Sequence, residues 1–125
     1  MRIKKNKVFI VAEIGNNHEG KLSNAYKLID KAKEAGVDAV KFQTYDVKKY
    51  YSSDTDKKRI KKLKKFQLSH SNIIKLSKYA KKLGLVFFST PFDEESAVFL
   101  NKIQNIFKIS SGDNDFFNLI EKVLT

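Results

Sequence analysis

The 125-residue sequence contains no cysteine and no tryptophan, one proline and only two histidines, His18 and His70. Without cysteine, the chain has no disulfide, no thiolate-bound metal and no cysteine nucleophile, and such a composition suits a reducing compartment. Two histidines are too few for a histidine-rich metal site. These absences exclude disulfide-stabilised and zinc-finger-like domains.

Long apolar runs are also absent. No stretch approaches the ~20 consecutive apolar residues of a membrane-spanning helix. The basic start and the short apolar run over residues 8–12 resemble a signal peptide in outline, but Glu13 ends the run and no small-residue cleavage site follows. We therefore predict no membrane segment and no secretion, and we expect a cytoplasmic location.

Arginine and acidic residues are scarce relative to lysine. The chain has 25 basic and 14 acidic residues, a net charge of +11, and its only arginines are Arg2 and Arg59. Sequence-specific nucleic-acid-binding proteins use arginine for bidentate contacts to bases. Because arginine is scarce here, we favour a lysine-rich surface without a nucleic-acid-binding role. A nucleic-acid-binding module that uses the basic run at residues 57–65 and nearby tyrosines is kept as an alternative.

Apolar runs and helical periodicities alternate along the chain. Runs typical of strands cover residues 8–14, 37–45, 85–90 and 106–110. Apolar residues recur between and after them at helical spacing, and Gly36 and Gly84 are predicted to end two of the helices. Helix starts are predicted near Ser23, at Ser69 or Ser71, at Asp93 and at Asp115.

Four such β-α units imply an α/β fold with parallel strands and right-handed crossovers. Two sheet architectures fit this pattern, a doubly wound open sheet and a (β/α)₈ TIM-type barrel. A barrel needs about 250 residues, so this chain would supply about the first four units of an incomplete barrel. Polar residues near the carboxyl ends of all four strands favour the barrel, and the first turn lacks the glycine spacing of dinucleotide-binding sheets. These residues are Glu13, Lys41, Gln43, Thr90, Lys108 and Ser111.

Lys41 and Lys108 each lie within a short apolar strand. A buried lysine is costly unless it is paired or binds an anion. Two such lysines at one cavity, with hydroxyl donors from Thr90 and Ser111, would bind a small molecule carrying phosphate or carboxylate. Glu13 is the only acid inside a strand, so it is a candidate general acid or base, or a ligand for sugar hydroxyls.

A purely structural role is an alternative for each of these residues. A lysine near a strand end often snorkels to solvent, and Glu13 could simply pair with one of the lysines. His18 is predicted to be a surface loop residue and His70 a helix-start residue. Residues 57–65 are predicted to form a solvated helix face.

Five segments resemble a known family. AEIGNNHEG, AGVDAVKFQT, FQLS, FFSTPFD and FKISSGD occur in the order and spacing of the N-terminal barrel half of the sialic acid synthases. This family includes N-acetylneuraminate, legionaminate and pseudaminate synthases. The resemblance runs from about Val8 to Leu124, and the ordered set is specific although each motif alone is modest. It implies a (β/α)₈ barrel, followed in full-length members by a small antifreeze-like domain.

The resemblance also implies a reaction. Phosphoenolpyruvate would condense with an N-acylated amino sugar such as N-acetylmannosamine, giving a nine-carbon 2-keto acid and phosphate. A divalent metal, manganese or magnesium, would orient the sugar aldehyde, with ligands outside this chain, and the full-length enzyme would be a homodimer. A related barrel aldol-type synthase that makes a shorter keto sugar acid is the alternative within the same fold.

The resemblance assigns the phosphoenolpyruvate contacts residue by residue. Lys41 and Thr90 match positions that hold this substrate, expected at its carboxylate. Lys108 and Ser111 match positions that hold its phosphate. Lys41 and Lys108 would thus bind opposite ends of one anion.

The sugar side of the site follows from the same match. Glu13, Gln43 and Phe92 would line it, with Glu13 as the acid/base candidate. Two positions depart from the family pattern: Glu19 stands where asparagine is common, and Asp113 where glutamate is frequent. The shorter side chain of Asp113 would alter a contact to the sugar or the metal.

The family's metal-binding histidines match neither histidine of this sequence and lie beyond Thr125. Residues 1–125 are therefore expected to be the N-terminal part of a synthase barrel, without the rest of the barrel or the antifreeze-like domain. Half a barrel leaves two open strand edges. We expect the isolated chain to be inactive or to dimerise along them.

Overall fold

A computed structural model describes residues 4–50 and 57–125 of the chain. Each strand within these residues is followed by helices, as the sequence predicts. The elements are β1 (Val11–Gly15), α1 (Leu22–Glu34), β2 (Ala39–Thr44), α2 (Lys57–Phe66), α3 (His70–Lys82), β3 (Val86–Pro91), α4 (Glu94–Leu100) and α5 (Phe117–Leu124), with short 3-10 turns at Val47–Tyr50 and Ser111–Asp113.

The three strands of the described residues form one parallel sheet in the order β1-β2-β3. Because side chains alternate along a strand, Val40 and Phe42 on β2 lie on one face with Phe87 on β3, where α1 and α3 cover them with residues such as Ile29 and Leu76. The alternate positions, which include Lys41, lie on the opposite face. The hydrophobic core is therefore on one side of the sheet, and Lys41 and Gln43 are on the other.

The helix ends follow local chemistry. Ser69 caps α3, since its hydroxyl accepts from the Asn72 N–H at 3.1 Å, and Gly84 follows the same helix with a φ of +79°. Asp93 caps α4 through the Ser96 N–H at 2.7 Å. The cap predicted at Ser23 is wrong by two residues, because Lys21 holds the N-cap position of α1 and makes no side-chain cap.

The fourth predicted strand is wrong, because residues 106–110 form no ladder with β3 in the described structure. The side-chain amide of Gln104 occupies that edge instead. Its Oε1 accepts from the Ser89 N–H at 2.7 Å, and its Nε2 donates to the Ser89 carbonyl at 2.9 Å. Gln104 thereby takes the backbone donor and acceptor that a neighbouring strand would use at this position.

Two predictions about helices in the middle of the chain are confirmed. The basic segment is helical, and its apolar residues Ile60, Leu63 and Phe66 are half-buried while its charged residues are exposed. His70 is the first residue of α3, and its ring stacks on Phe99 at 3.8 Å. Among the described residues, no helix is long and apolar enough to cross a membrane.

Candidate active site

Lys41 lies at the centre of the polar face of the sheet. Only 7% of the residue is exposed, and its Nζ lies 2.6 Å from Glu13 Oε2 and donates to Thr90 Oγ1 at 3.0 Å. These contacts follow from the register, because Glu13 on β1 stands opposite Lys41 on β2, and Thr90 on β3 stands opposite Gln43. The sheet thus brings together three polar residues from three different strands.

Gln43 lies near the same group, because the side chains of Gln43 and Glu13 both come close to Gly15. The register slips between Glu13 and Gly15, a bulge at the end of β1, and Gly15 has a φ of +55°. A Cβ at Gly15 would lie 3.3 Å from Glu13 Oε1 and 3.5 Å from Gln43 Nε2. We call Glu13, Lys41, Gln43 and Thr90 the Lys41 cluster. All four come from the predicted site residues.

The hydrogen bonding of the cluster leaves donors for a ligand. An ammonium has three N–H donors, and among the described residues Lys41 uses two, one toward Glu13 and one toward Thr90. The Thr90 hydroxyl accepts from Lys41, so its own hydrogen stays free to donate. Glu13 keeps 52% of its side chain exposed. The ion pair is therefore open to solvent from the carboxylate side, while the ammonium is nearly enclosed.

His18, in the loop between β1 and α1, is fully buried, which corrects the prediction of a surface residue. Its Nδ1 accepts from the Gly20 N–H at 2.9 Å, and its ring stacks on Phe42. Desolvation lowers the pKa of His18 from its ordinary value, and the Gly15 carbonyl opposes that shift. The sequence signal for this role is the His-x-Gly spacing, which lets an imidazole reach the backbone two residues on.

Tyr45 connects the end of β2 to α2. Its phenol donates to the Leu63 carbonyl at 2.7 Å. Burial raises the pKa of Tyr45 to about 12, against a smaller opposing contribution from a hydrogen bond with Asn16. The contact fixes α2 beside the carboxyl end of the sheet. The sequence predicts this tyrosine as the last residue of a strand and, in the nucleic-acid-binding alternative, as a stacking group.

Lys108 and Ser111 are both exposed in the chain segment that follows α4. Within the described residues, neither makes a hydrogen bond or ion pair to the Lys41 cluster. The structure therefore brings Lys41 and Thr90 together but not the two predicted phosphate-binding residues. Their roles stay predictions.

Phe92 and Asp113 occupy different surroundings from the cluster. Phe92 follows β3, where its N–H donates to the Thr44 carbonyl at 3.1 Å and its ring meets Tyr45 edge to face. It lines a cavity of about 390 Å³ together with Asp93 and Phe116. Asp113 lies in the last 3-10 turn, where burial raises the pKa of its carboxyl and the charge of Asp115 adds to the shift.

The resemblance implies a divalent metal. Magnesium and manganese prefer several oxygen ligands, to which histidine can add. Nowhere in residues 4–50 and 57–125 do three histidine, aspartate or glutamate side chains come together to hold a metal ion. Glu13 is the only carboxylate of the Lys41 cluster, and it is paired with Lys41. These residues do not fit a metal by themselves.

Comparison with known proteins identifies the family. A sequence model of the NeuB family matches residues 28–125. The chain belongs to the NeuB family. An uncharacterised protein of Methanocaldococcus jannaschii is 40% identical over 116 residues, covering 92% of this chain and 34% of the relative. The N,N'-diacetyllegionaminic acid synthase of Campylobacter jejuni is 35% identical over 130 residues, covering 94% of this chain and 39% of the relative.

The fold of this NeuB-family chain matches a solved structure closely. The N-acetylneuraminic acid synthetase of Leptospira borgpetersenii, a TIM-barrel protein solved in complex with citrate, superposes with a TM-score of 0.89 and 31% identity. The match covers 98% of this chain and 45% of that one. The predicted α/β barrel type is therefore confirmed, and the chain spans roughly a third of the length of the curated relatives it matches. Neither alternative function is favoured by these matches.

Proposed function

We propose that the protein carrying this chain is a synthase that condenses phosphoenolpyruvate with an N-acylated amino sugar to give a nine-carbon 2-keto acid and phosphate. Family membership and the names of the relatives support a synthase of sialic-acid type. The observation that carries the proposal is the enclosed Lys41 ammonium, which extends from the middle of β2 to Glu13 and to Thr90, the next-to-last residue of β3, and so lies toward the carboxyl-end edge of the sheet. This is where barrel enzymes place their active sites.

Lys41 and Thr90 would bind the carboxylate of phosphoenolpyruvate. Lys41 has one N–H to spare, and Thr90 has a free hydroxyl hydrogen, so together they present two donors to a planar anion. The side chain of Glu13 is half-exposed, so it can move away as the carboxylate takes its place beside the ammonium. Lys41 would then exchange the carboxylate of Glu13 for that of phosphoenolpyruvate, so its buried charge would stay paired.

The remaining roles extend this arrangement. Lys108 and Ser111 would hold the phosphate, and Gln43 and Phe92 would face the sugar. Carbon 3 of phosphoenolpyruvate bonds to the sugar aldehyde carbon, whose oxygen takes a proton, and water adds at carbon 2 as phosphate leaves. Glu13 is the proposed proton-transfer group, since it is a solvent-accessible carboxylate beside the substrate-binding lysine.

Other properties rest on the family resemblance alone. A divalent metal held by residues outside this chain, a homodimer, a cytoplasmic location and an antifreeze-like domain are proposals for the whole protein. The relatives include synthases of different sugar acids, so the proposal names the class of amino sugar and no single one.

The test is ligand-induced stabilisation. Saturating phosphoenolpyruvate should raise the Tm of the complete protein by several degrees, since a ligand at 100 times its Kd stabilises by about 2.7 kcal/mol. Lys41→Met should abolish this rise, and Thr90→Val, which keeps the side-chain volume, should reduce it. Lys78→Met, an exposed position on α3, is the matched control and should keep the full rise.

Two results would contradict the proposal. One is an unchanged Tm rise in a folded Lys41→Met variant. The other is tight binding of single-stranded nucleic acid, with a steep salt dependence that survives substitution of both Lys41 and Lys108. Circular dichroism of each variant separates loss of binding from loss of fold.

A further inference from the structure

Helix α2 carries an unusual density of positive charge. Seven of its ten residues are lysine or arginine, and none is acidic. More than a quarter of the basic residues of the chain therefore occupy one exposed helix, and no acidic residue of that helix balances them.

This arrangement is unfavourable for the helix itself. Lys57 and Lys61, like Lys61 and Lys65, are four residues apart, and like charges at this spacing each cost roughly 0.2–0.5 kcal/mol. The first turn contains cations and no acid, the reverse of what the helix dipole favours. The stability of helix α2 by itself therefore does not explain its seven positive charges.

Tertiary contacts hold α2 at the carboxyl-end edge of the sheet. The phenol of Tyr45, which directly follows β2, bonds to the Leu63 carbonyl. Gly20, in the loop that follows β1, packs so closely on the Lys65 carbonyl that a Cβ there would overlap it. Gln67, just after the helix, accepts from the Val47 N–H at 3.1 Å. The loops that leave β1 and β2 thus fix the helix on the same edge as the Lys41 cluster.

We propose that α2 is an electrostatic guide that speeds the approach of a small, multiply charged phosphorylated acid to the Lys41 cluster. The inference rests on the proposed function and names phosphoenolpyruvate as the guided substrate. One-signed charge beside a cleft can raise association rates 10- to 1,000-fold, and the effect falls steeply as salt screens it. The same edge also carries acids, among them Glu13 and Glu95, but these two are paired with Lys41 and Lys49, which lie outside α2.

The experiment compares two charge-neutralised variants of the complete protein. The first is Lys61→Gln/Lys64→Gln/Lys65→Gln on α2. The control, Lys33→Gln/Lys78→Gln/Lys82→Gln, removes the same net charge from exposed positions of α1 and α3, two of them in the last turns at the opposite edge. Stopped-flow mixing gives the association and dissociation rate constants of phosphoenolpyruvate from about 20 mM to 500 mM ionic strength, where the Debye length shrinks several-fold.

The α2 variant should associate about 3- to 10-fold more slowly than wild type at low salt and equally fast at high salt, with an unchanged dissociation rate. The control should stay within twofold of wild type throughout. Equal losses in both variants would show an effect of net charge alone and overturn the proposal, as would no loss in either.

A faster dissociation of the α2 variant at all salt concentrations would overturn it too, because α2 would then be part of the binding site. Failure of folded wild-type protein to bind phosphoenolpyruvate at any salt concentration is a different result. It would refute the proposed function, and the guide with it.

Discussion

At the residue scale, the polar chemistry of the molecule is concentrated at the ends of strands and in the loops that follow them. Lys41, whose ammonium is nearly enclosed, pairs with the half-exposed Glu13 on one face of the sheet, whereas His18 is buried against Phe42 on the other. Lys41 and His18 are ionisable groups whose burial has a cost in free energy, and each has a specific partner that offsets this cost. The partners differ in consequence, because a carboxylate stabilises a charge and the Gly20 N–H stabilises a neutral imidazole.

The buried His18 predicts acid sensitivity. Its pKa in the folded chain lies below the ordinary 6.5, so the unfolded chain binds the proton more tightly. The stabilising contribution is therefore present above pH 6.5 and is lost as the pH falls toward the lowered pKa, by at most about 1.4 kcal/mol per pH unit. Urea unfolding at pH 7 and pH 5 measures this loss.

The variant His18→Asn isolates the effect. Its side-chain oxygen can still accept from the Gly20 N–H but does not titrate in this range, so the pH dependence should flatten relative to wild type. His70→Asn, at the exposed start of α3, should leave the wild-type dependence in place. An identical pH profile in wild type and His18→Asn would contradict the prediction.

At the element scale, the edge of β3 is completed by a side chain. Gln104 donates to and accepts from the Ser89 backbone, and it also donates to the Ile106 carbonyl at 2.9 Å. Ser89 lies directly before Thr90 in β3, so Gln104 fixes the backbone beside a member of the Lys41 cluster. One amide group thus closes a sheet edge and steadies the site.

Replacing Gln104 by methionine should leave the buried N–H and carbonyl of Ser89 unpaired. Each unsatisfied group costs about 1–3 kcal/mol, so the free energy of unfolding should fall by at least that amount. Hydrogen exchange at the Ser89 amide should quicken most. Asn105→Ala, at the neighbouring exposed position, is the control and should change neither quantity. Unchanged protection of Ser89 in Gln104→Met would show that its N–H does not depend on this amide.

At the scale of the whole molecule, the described sheet has three strands, and the chain spans about a third of the relatives' length. The edge strand β1 and the segment before it expose apolar side chains, with Val8 at 79% and Ile10 at 52%. Unpaired, apolar strand edges favour pairing with another chain. The described three-stranded sheet is therefore open rather than closed into a barrel.

The purified 125-residue chain should form no keto acid from phosphoenolpyruvate and an amino sugar, or should dimerise through its strand edges. A thiobarbituric acid assay measures the product, and light scattering during gel filtration gives the mass. The complete protein, assayed under the same conditions, is the positive control. Keto-acid formation by a monomeric 125-residue chain would refute this expectation.

Much of the fold was predictable because its signals are local. β-branched runs, helical spacing and the glycines after α1 and α3 place the first three strands and the helices that cover them within a few residues. The prediction of a fourth strand was wrong because a run of apolar residues indicates only a preference for extended structure. Whether such a run pairs depends on what already occupies the neighbouring edge, and here Gln104 occupies it.

The sequence by itself determined the alternation of strands and helices, the family, and the residue types of the Lys41 cluster. Only the tertiary structure decided which of the predicted residues meet. The parallel register brings Glu13, Lys41 and Thr90 within hydrogen-bonding distance, while Lys108 makes no hydrogen bond or ion pair with them in the described part of the chain. Burial of His18 was likewise settled by packing, since contact and desolvation depend on neighbours distant in sequence. Composition and local periodicity carry no such information.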